Sequence, residues 1–256
     1  MAPGAIWKGE IRFGQASVPV KLHAAVREER IEFHLLHKRD RVRLRQQMIC
    51  SAEDAPVPAA EQVKGFEVEE NRYILVDPEE LERTAPEGSR AIEVHEFVKA
   101  AQIDPLFFDR AYHLEPDAGP QAYGALRAAL AEQDLAGVCT WTMRKRSYLG
   151  ALRAAGGTLR LHTLRHADEI VPAKALDLPA LPLSEKELKI AVELIGHLAA
   201  SFDAAKFRDE HEERLRGLIA RKARGEKVAV VPPRRLKPTP DAQLLKALEA
   251  SLKKVA

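Results

Sequence analysis

Arginine occupies positions 39, 41, 43 and 45, every second residue of the stretch HKRDRVRLRQQMIC, and Lys38 precedes them. Side chains along a β-strand alternate between its two faces. As a strand, this stretch puts four guanidinium groups on one face, with Val42 and Leu44 on the other. Same-face neighbours then stand about 6.6 Å apart, roughly two nucleotide rises along one strand of a duplex at ~3.4 Å each. Arginine grips phosphate oxygens through a planar fork, and phosphate contacts position a nucleic acid without reading its bases. The chemistry of such a row is anion binding. A plainer reading is an edge strand whose charge guards it against aggregation, although lysine is the usual guard and four arginines exceed what guarding needs. Arg144, Lys145 and Arg146 form a weaker cluster of the same kind at the end of the apolar run LAGVCTWTM. The residues alone leave both readings open.

Other chemistries find little support. The sequence has no G-x-x-x-x-G-K-[ST] phosphate loop, no G-x-S-x-G elbow and no K-x-D-G lysine for nucleotidyl transfer. His34 and His37, three apart, fall on opposite faces of a strand and read as surface residues. Cys139 sits in an apolar run and reads as a small buried hydrophobe. Asp104, Asp109 and Asp117 lie within IDPLFFDRAYHLEPD. Three spaced carboxylates could hold Mg²⁺ in a metal-dependent nuclease, yet Asp104-Pro105 and Pro116-Asp117 carry turn chemistry, and Asp109-Arg110 reads as a surface pair. No residue is nominated as a catalytic nucleophile or base, and no cofactor is implied. A general RNA- or DNA-binding module using the basic tail is a third possibility.

Net charge is +2, which by itself does not announce a polyanionic partner. Its distribution says more. From Arg221 to Ala256 there are ten Lys/Arg against three Asp/Glu, a net +7, which leaves residues 1–220 at −5. Two cysteines, Cys50 and Cys139, show neither metal-ligand spacing nor a disulfide framework, which fits a reducing cytoplasm. The start of the chain lacks the apolar core of a signal peptide, and no apolar run approaches a membrane span. A cytoplasmic, nucleoid-associated protein without a membrane partner is expected.

The elements that must position these residues change character along the chain. Up to about residue 170 the pattern is mostly short alternating segments, read as strands: AIWKGEIRFGQASVPVKLHAAV, IEFHLLH, the arginine row, RAIEVHEFV, LAGVCTWTMRKR and TLRLHTLRH. FEVEENRYILV reads as a hairpin turning at Glu70-Asn71, and SAEDAPVPAAEQ as a loop in which Pro56 and Pro58 oppose regular structure. DPEELERTA predicts a short helix capped by Asp77 with Pro78 first, and GPQAYGALRAALAEQ an amphipathic one. The fold class is mixed and β-rich, with a barrel-like core and a few helices. After DLPALPLS the period becomes helical. Ser184 and Glu187 form a capping box ahead of Leu188, Ala191, Val192, Ile195, Leu198, Ala199 and Phe202. Asp203 is expected to cap a second helix with Phe207, Leu215, Leu218 and Ile219 along one stripe and Gly225 as its stop. Both core packing and a partner-facing arm would explain these apolar faces. Last comes a proline-broken basic linker, VAVVPPRRLKPTP, and a short helix with Leu244, Leu245, Leu248 and Leu252 on one side. So short an apolar helix is marginal alone and is expected to dock on a partner.

Taken in order, AIWKGEIRFGQASVPVKLHAA, FHLLHKRD-RVRLRQQMIC, VKGFEVEENRYILVDPEEL, EVHEFV, DPLFFDRAYHLEPD, LHTLRHADEI and FDAAKFRDEHEERLRGLIARKARGEKV resemble the bacterial Ku family over essentially the whole chain. The resemblance implies a Ku-type β-barrel core with a long bridging insertion, a C-terminal helical arm and a short basic tail. It divides the chain into a core at 1–183 (insertion roughly 35–95), a helical arm at 184–225 that packs in the dimer or on the core, and a tail at 226–256. It further implies a homodimeric ring that binds double-stranded DNA ends without sequence specificity, and that recruits and stimulates the multifunctional DNA ligase D in non-homologous end joining, with no catalytic step. On this reading Lys38, Arg39, Arg41, Arg43, Arg45, Arg144, Lys145 and Arg146 line the ring, with Lys64 a weaker candidate and Lys8 and Arg12 weaker still. Leu244, Leu245, Leu248 and Leu252 engage the ligase. Some members carry C-x-x-C in the insertion; here Ser51, Ala52 and Glu53 follow Cys50, so no zinc is expected and packing around the Pro56–Pro58 loop is expected to hold the segment.

Overall fold

The computed structural model describes residues 4–176 and 184–226. The described chain divides into one compact unit of residues 4–29 and 34–173 and a second of 30–33, 174–176 and 184–226.

In the first unit the strands are β1 (Trp7–Phe13), β2 (Ala16–Ala24), β3 (Ile49–Cys50), β4 (Ala55–Pro56), β5 (Lys64–Glu69), β6 (Arg72–Val76), β7 (Ala91–Lys99), β8 (Phe108–Pro116), β9 (Leu135–Met143), β10 (Arg146–Ala155) and β11 (Thr158–Leu164). Helix α1 (Pro78–Arg83) precedes β7, and α2 (Pro120–Gln133) lies between β8 and β9. Seven strands close a barrel in the order β1-β2-β8-β11-β10-β9-β7. All its pairings are antiparallel except the closing one, where β7 runs parallel to β1. The period-2 alternation is what makes the barrel: along β11 every second residue (Leu159, Leu161, Thr163) is buried, and the inward set adds Ile11, Val18, Val20, Leu22, Ile92, Leu114, Cys139, Trp141 and Leu152. The indole of Trp141 fills space over Gly150, where a Cβ would collide with the ring and approach the His162 carbonyl oxygen to 2.7 Å.

Helix α2 contributes Tyr123, Leu126 and Leu130 to the same core. The buried Tyr123 hydroxyl donates to the Leu114 carbonyl at 2.6 Å and accepts from the Leu159 N–H at 2.8 Å, bridging β8 and β11. Burial pushes the Cys139 thiol up to about 12, as expected of an inert core cysteine.

Between β2 and β7 the chain leaves the barrel. The insertion expected at roughly 35–95 overlaps the start of β7, since residues 91–95 are barrel strand. The expected hairpin is β5–β6, turning at Glu70-Asn71 with Asn71 left-handed at φ 61°. Helix α1 follows as predicted, the Glu80 carboxylate accepting from the Asp77 N–H at 2.9 Å. The Pro56–Pro58 segment departs from expectation. Pro56 ends a two-residue strand paired with Ile49–Cys50, a place where the missing N–H costs little. Backbone bonds therefore hold this segment, including Val57 N–H to Met48 O at 2.9 Å, with the Gln62 side chain on the Val57 carbonyl at 2.9 Å.

In the second unit, α3 (Glu185–Leu198) starts at the predicted capping box, Ser184 with Glu187. Leu188, Val192, Ile195 and Leu198 along it are exposed among the described residues. Asp203 does not cap the next helix. It caps one 3₁₀ turn at Ala204–Lys206, and α4 (Glu210–Ala223) begins behind Asp209, whose carboxylate accepts the Glu212 N–H at 3.0 Å. Phe207 thus lies outside the helix, stacked on Phe202 at 6.1 Å. Gly225, at φ 81°, follows the helix end as predicted.

Candidate nucleic-acid interface

The arginine row is not a strand. Residues 35–44 fold back on themselves: Leu36 bridges Arg43, the Leu44 N–H reaches the Leu35 carbonyl at 2.9 Å, and the His37 N–H reaches the Val42 carbonyl at 2.8 Å. The loop between is Lys38-Arg39-Asp40-Arg41, closed by the Arg41 N–H on the His37 carbonyl at 2.8 Å. Asp40 is the cause. Its carboxylate accepts from the Val42 N–H at 3.1 Å and from His37 Nδ1 at 2.8 Å, a local turn that outcompetes extended backbone. The His37 contact, and then the Val42 N–H, hold the Asp40 carboxyl below its ordinary value. Lys38, Arg39 and Arg41 are therefore gathered at a hairpin tip, with Arg43 and Arg45 following on the returning arm, and the row is not a straight strand face. Lys38, Arg39, Arg41, Arg43 and Arg45 are all exposed, and none makes a side-chain ion pair or hydrogen bond among the described residues.

The second cluster also sits at a tip. Arg144 and Lys145 form the two-residue turn between β9 and β10, flanked by the Met143–Arg146 pair, with φ of 53° and 62°. Such turns prefer Asn-Gly, because both central residues must be left-handed. Arg144 and Arg146 are exposed and unpaired among the described residues, while the Lys145 ammonium donates to the Glu82 carboxylate of α1. That contact, by hydrogen bond first and charge second, holds the Glu82 carboxyl below its ordinary value. Lys64, at the start of β5, is exposed and has no ion pair or side-chain hydrogen bond among the described residues.

Backbone geometry singles out the same groups independently. Six non-glycine residues among those described have positive φ: Arg41, Asp54, Asn71, Asp134, Arg144 and Lys145. Asn and Asp tolerate this conformation. The other three, Arg41, Arg144 and Lys145, are basic residues that the charge pattern also selects.

The weaker candidates are occupied. Lys8 lies 4.0 Å from Asp117, which Lys21 holds at 2.8 Å, and Arg12 is paired with Glu10 and Glu93. The nuclease carboxylates are likewise committed one by one. Asp104 caps a 3₁₀ turn through the Leu106 N–H at 2.8 Å, Asp109 lies 3.5 Å from Arg165, and Asp117 serves the two lysines. No three potential ligands come together for a metal among the described residues. Leu244, Leu245, Leu248 and Leu252 lie outside the described residues.

Sequence reasoning missed one group. On the barrel wall Arg153 of β10 stands directly opposite Arg160 of β11. They are seven positions apart in the chain, and only hairpin register brings them together.

Residues 12–190 match the family model described as the Ku70/Ku80 beta-barrel domain. The chain is 62% identical over 256 residues to the non-homologous end joining protein Ku 2 of Geotalea uraniireducens, covering all of both chains. It is 40% identical to the non-homologous end joining protein Ku of Heliobacterium modesticaldum, over 98% of this chain and 92% of that one. The corresponding protein of Solibacter usitatus is 36% identical over 97% and 92%. With the closed seven-strand barrel and the long excursion between β2 and β7, these similarities establish that the chain belongs to the bacterial Ku family.

Proposed function

We propose that the protein binds double-stranded DNA ends in non-homologous end joining, as a homodimeric ring with no catalytic step of its own. The observation that carries this reading is the coincidence of charge and strain. Cations occupy two hairpin tips, all but Lys145 without a partner among the described residues, and three of them, Arg41, Arg144 and Lys145, hold left-handed backbone. Cations without intramolecular partners meet phosphate at no cost in broken ion pairs. Contacts to phosphate alone explain binding without sequence preference. Lys145 differs, since phosphate would compete with Glu82 for its ammonium.

Two features support self-association. Phe66 of β5 faces Ile74 of β6 across the hairpin, and both are more than half exposed (68% and 56%). Helix α3 carries its own exposed apolar face. Apolar faces of this kind mark contact surfaces. In this reading residues 1–183 are the core with its insertion, 184–225 the helical arm, and 226–256, which from 227 on lie outside the described residues, the tail that recruits and stimulates DNA ligase D. If each subunit neutralises about four phosphates, the dimer loses affinity with salt at a slope of about −7.

The test is a gel-shift titration with one duplex in three forms: linear, covalently closed circular, and linear with both ends capped by bulky groups. Binding to the open linear form alone supports a ring that threads over ends. Equal binding to all three refutes it in favour of a general nucleic-acid binder. Turnover of labelled duplex with Mg²⁺ that Asp104→Ala abolishes would restore the nuclease reading.

A further inference from the structure

On the outer wall of the barrel four residues line up directly across four strands. Arg153 of β10 is opposite Arg160 of β11, Arg160 opposite His113 of β8, and His113 opposite His23 of β2. His162, two residues beyond Arg160, lies on the same face. Inward neighbours Leu152, Leu159, Leu161, Leu114 and Leu22 fix this orientation, since all are buried. Like charges directly opposite one another destabilise a sheet, and no acid pairs with either arginine among the described residues. The nearby carboxylates are engaged away from the arginines, Glu115 on His23 at the far end of the row at 2.8 Å and Asp117 on Lys21 at 2.8 Å. His113 shares only a 3.4 Å contact with Thr158 Oγ1.

The arginines are partly sunk into the wall. The Arg160 side chain lies along the β10–β11 turn, its guanidinium packed over Gly156, and its Nε is buried without a hydrogen-bond acceptor among the described residues. A buried donor left unpaired needs an explanation. Arg153 has no ion pair or hydrogen bond among the described residues either. Burial first, then the charges of Arg153 and Arg160, lower the His162 imidazole below its ordinary value.

We propose that this row is a second phosphate-binding surface that takes the backbone of the duplex along the barrel wall. The inference rests on the DNA-binding reading above and extends it to residues outside both hairpin tips. At an inter-strand spacing of about 4.8 Å, three steps from Arg153 to His23 span about 14 Å, the reach of roughly four nucleotide rises at ~3.4 Å. Along β10 the row stands about 24 Å from Arg146, so the tip and the wall contact different phosphates. Two guanidinium forks side by side suit a track of singly charged phosphodiesters better than one compact anion.

The test uses the full chain carrying Arg153→Gln and Arg160→Gln together, which keeps size and polarity and removes both charges. Binding to a linear 30-base-pair duplex is followed by fluorescence anisotropy between about 0.05 and 0.3 M salt, beside a melting curve. Two lost phosphate contacts per chain, four in the dimer, weaken binding about 1,000-fold at 0.15 M salt and flatten the salt slope by about 3.6. The melting temperature stays level or rises, because a like-charge pair is gone. Arg110→Gln, on an arginine already beside Asp109, changes neither quantity. Unchanged affinity and slope in a folded double variant overturn the inference while leaving the end-binding reading standing. So does a loss confined to single-stranded RNA or to inorganic phosphate. Failure of the unsubstituted chain to bind duplex at all refutes the end-binding reading and this row with it.

Discussion

Replacing Arg144-Lys145 by Asn-Gly should make the protein more stable and a poorer DNA binder at the same time. Both residues hold left-handed backbone, at φ 53° and 62°. A side chain with a Cβ pays about 1–2 kcal/mol there. Asn recovers part of that, and Gly most of it, less the ~0.5–1 kcal/mol of extra backbone entropy that glycine loses on folding. The net gain is about 1 kcal/mol, worth about 2–4 °C in melting temperature for a chain of this size. Loss of the exposed Lys145–Glu82 pair does not reverse the sign, because surface ion pairs contribute little. Binding moves the other way. Each phosphate contact accounts for about 0.7 log units at 0.15 M salt. Losing two per chain, four in the dimer, weakens binding about 1,000-fold and flattens the salt slope by about 3.6. Thermal melts and anisotropy titrations on one preparation read both. Asn71→Gly, which relaxes the β5–β6 turn without touching charge, serves as the control. A lower melting temperature would refute the strain argument, and an unchanged salt slope the assignment of the tip to phosphate.

Charge reversal at the other tip, Arg41→Glu with Arg43→Glu, should abolish end binding in a gel shift while leaving the circular dichroism spectrum intact. Removing residues 226–256, or introducing Leu245→Asp with Leu248→Asp, should do the opposite, sparing end binding and abolishing ligase stimulation in a nick-sealing assay. Tyr123→Phe leaves the Leu159 N–H without its acceptor and should cost about 1–3 kcal/mol in urea unfolding. Cys50, whose thiol the Ala52 and Glu53 N–H groups hold below its ordinary value, should react with a chromogenic disulfide at neutral pH in the native protein. Cys139, pushed up to about 12, should react only after unfolding, and Cys50→Ser should remove the fast phase alone.

The barrel strands were legible because one face of each is buried, so the sequence alternates with period 2, as in the TLRLHTL of β11. The caps of α1 and α3 were legible because Asp77 and Ser184 are followed three residues later by glutamate. The arginine row misled because alternation of charge was read as alternation of backbone. One short residue, Asp40, supplies a side-chain acceptor two positions ahead and turns the chain. At FDAAKFRDEHEER two aspartates compete to cap one helix. Asp209 wins because the unbroken helical run begins right behind it, and Asp203 is left with a single 3₁₀ turn. The sequence contained the basic groups but not their partners. That Lys145 meets Glu82 while Arg144 stays open, and that Arg153 meets Arg160, follow from tertiary register, which no local pattern encodes.

The closing seam of the barrel has a mechanical consequence. It consists of Glu10, Ile11 and Arg12 set beside Ala91, Ile92 and Glu93. The long excursion between β2 and β7 enters β7 at this seam, so tension on it is delivered straight into the strand. A pull along the axis of β7 loads all of the seam's hydrogen bonds at once, in shear, because they lie across the strand, and does not peel them apart in turn. The antiparallel ladder with β9 on the other side of β7 is loaded in the same way. In a pulling experiment the excursion should therefore yield at low force while the barrel holds, so that strain is absorbed where the chain leaves the core.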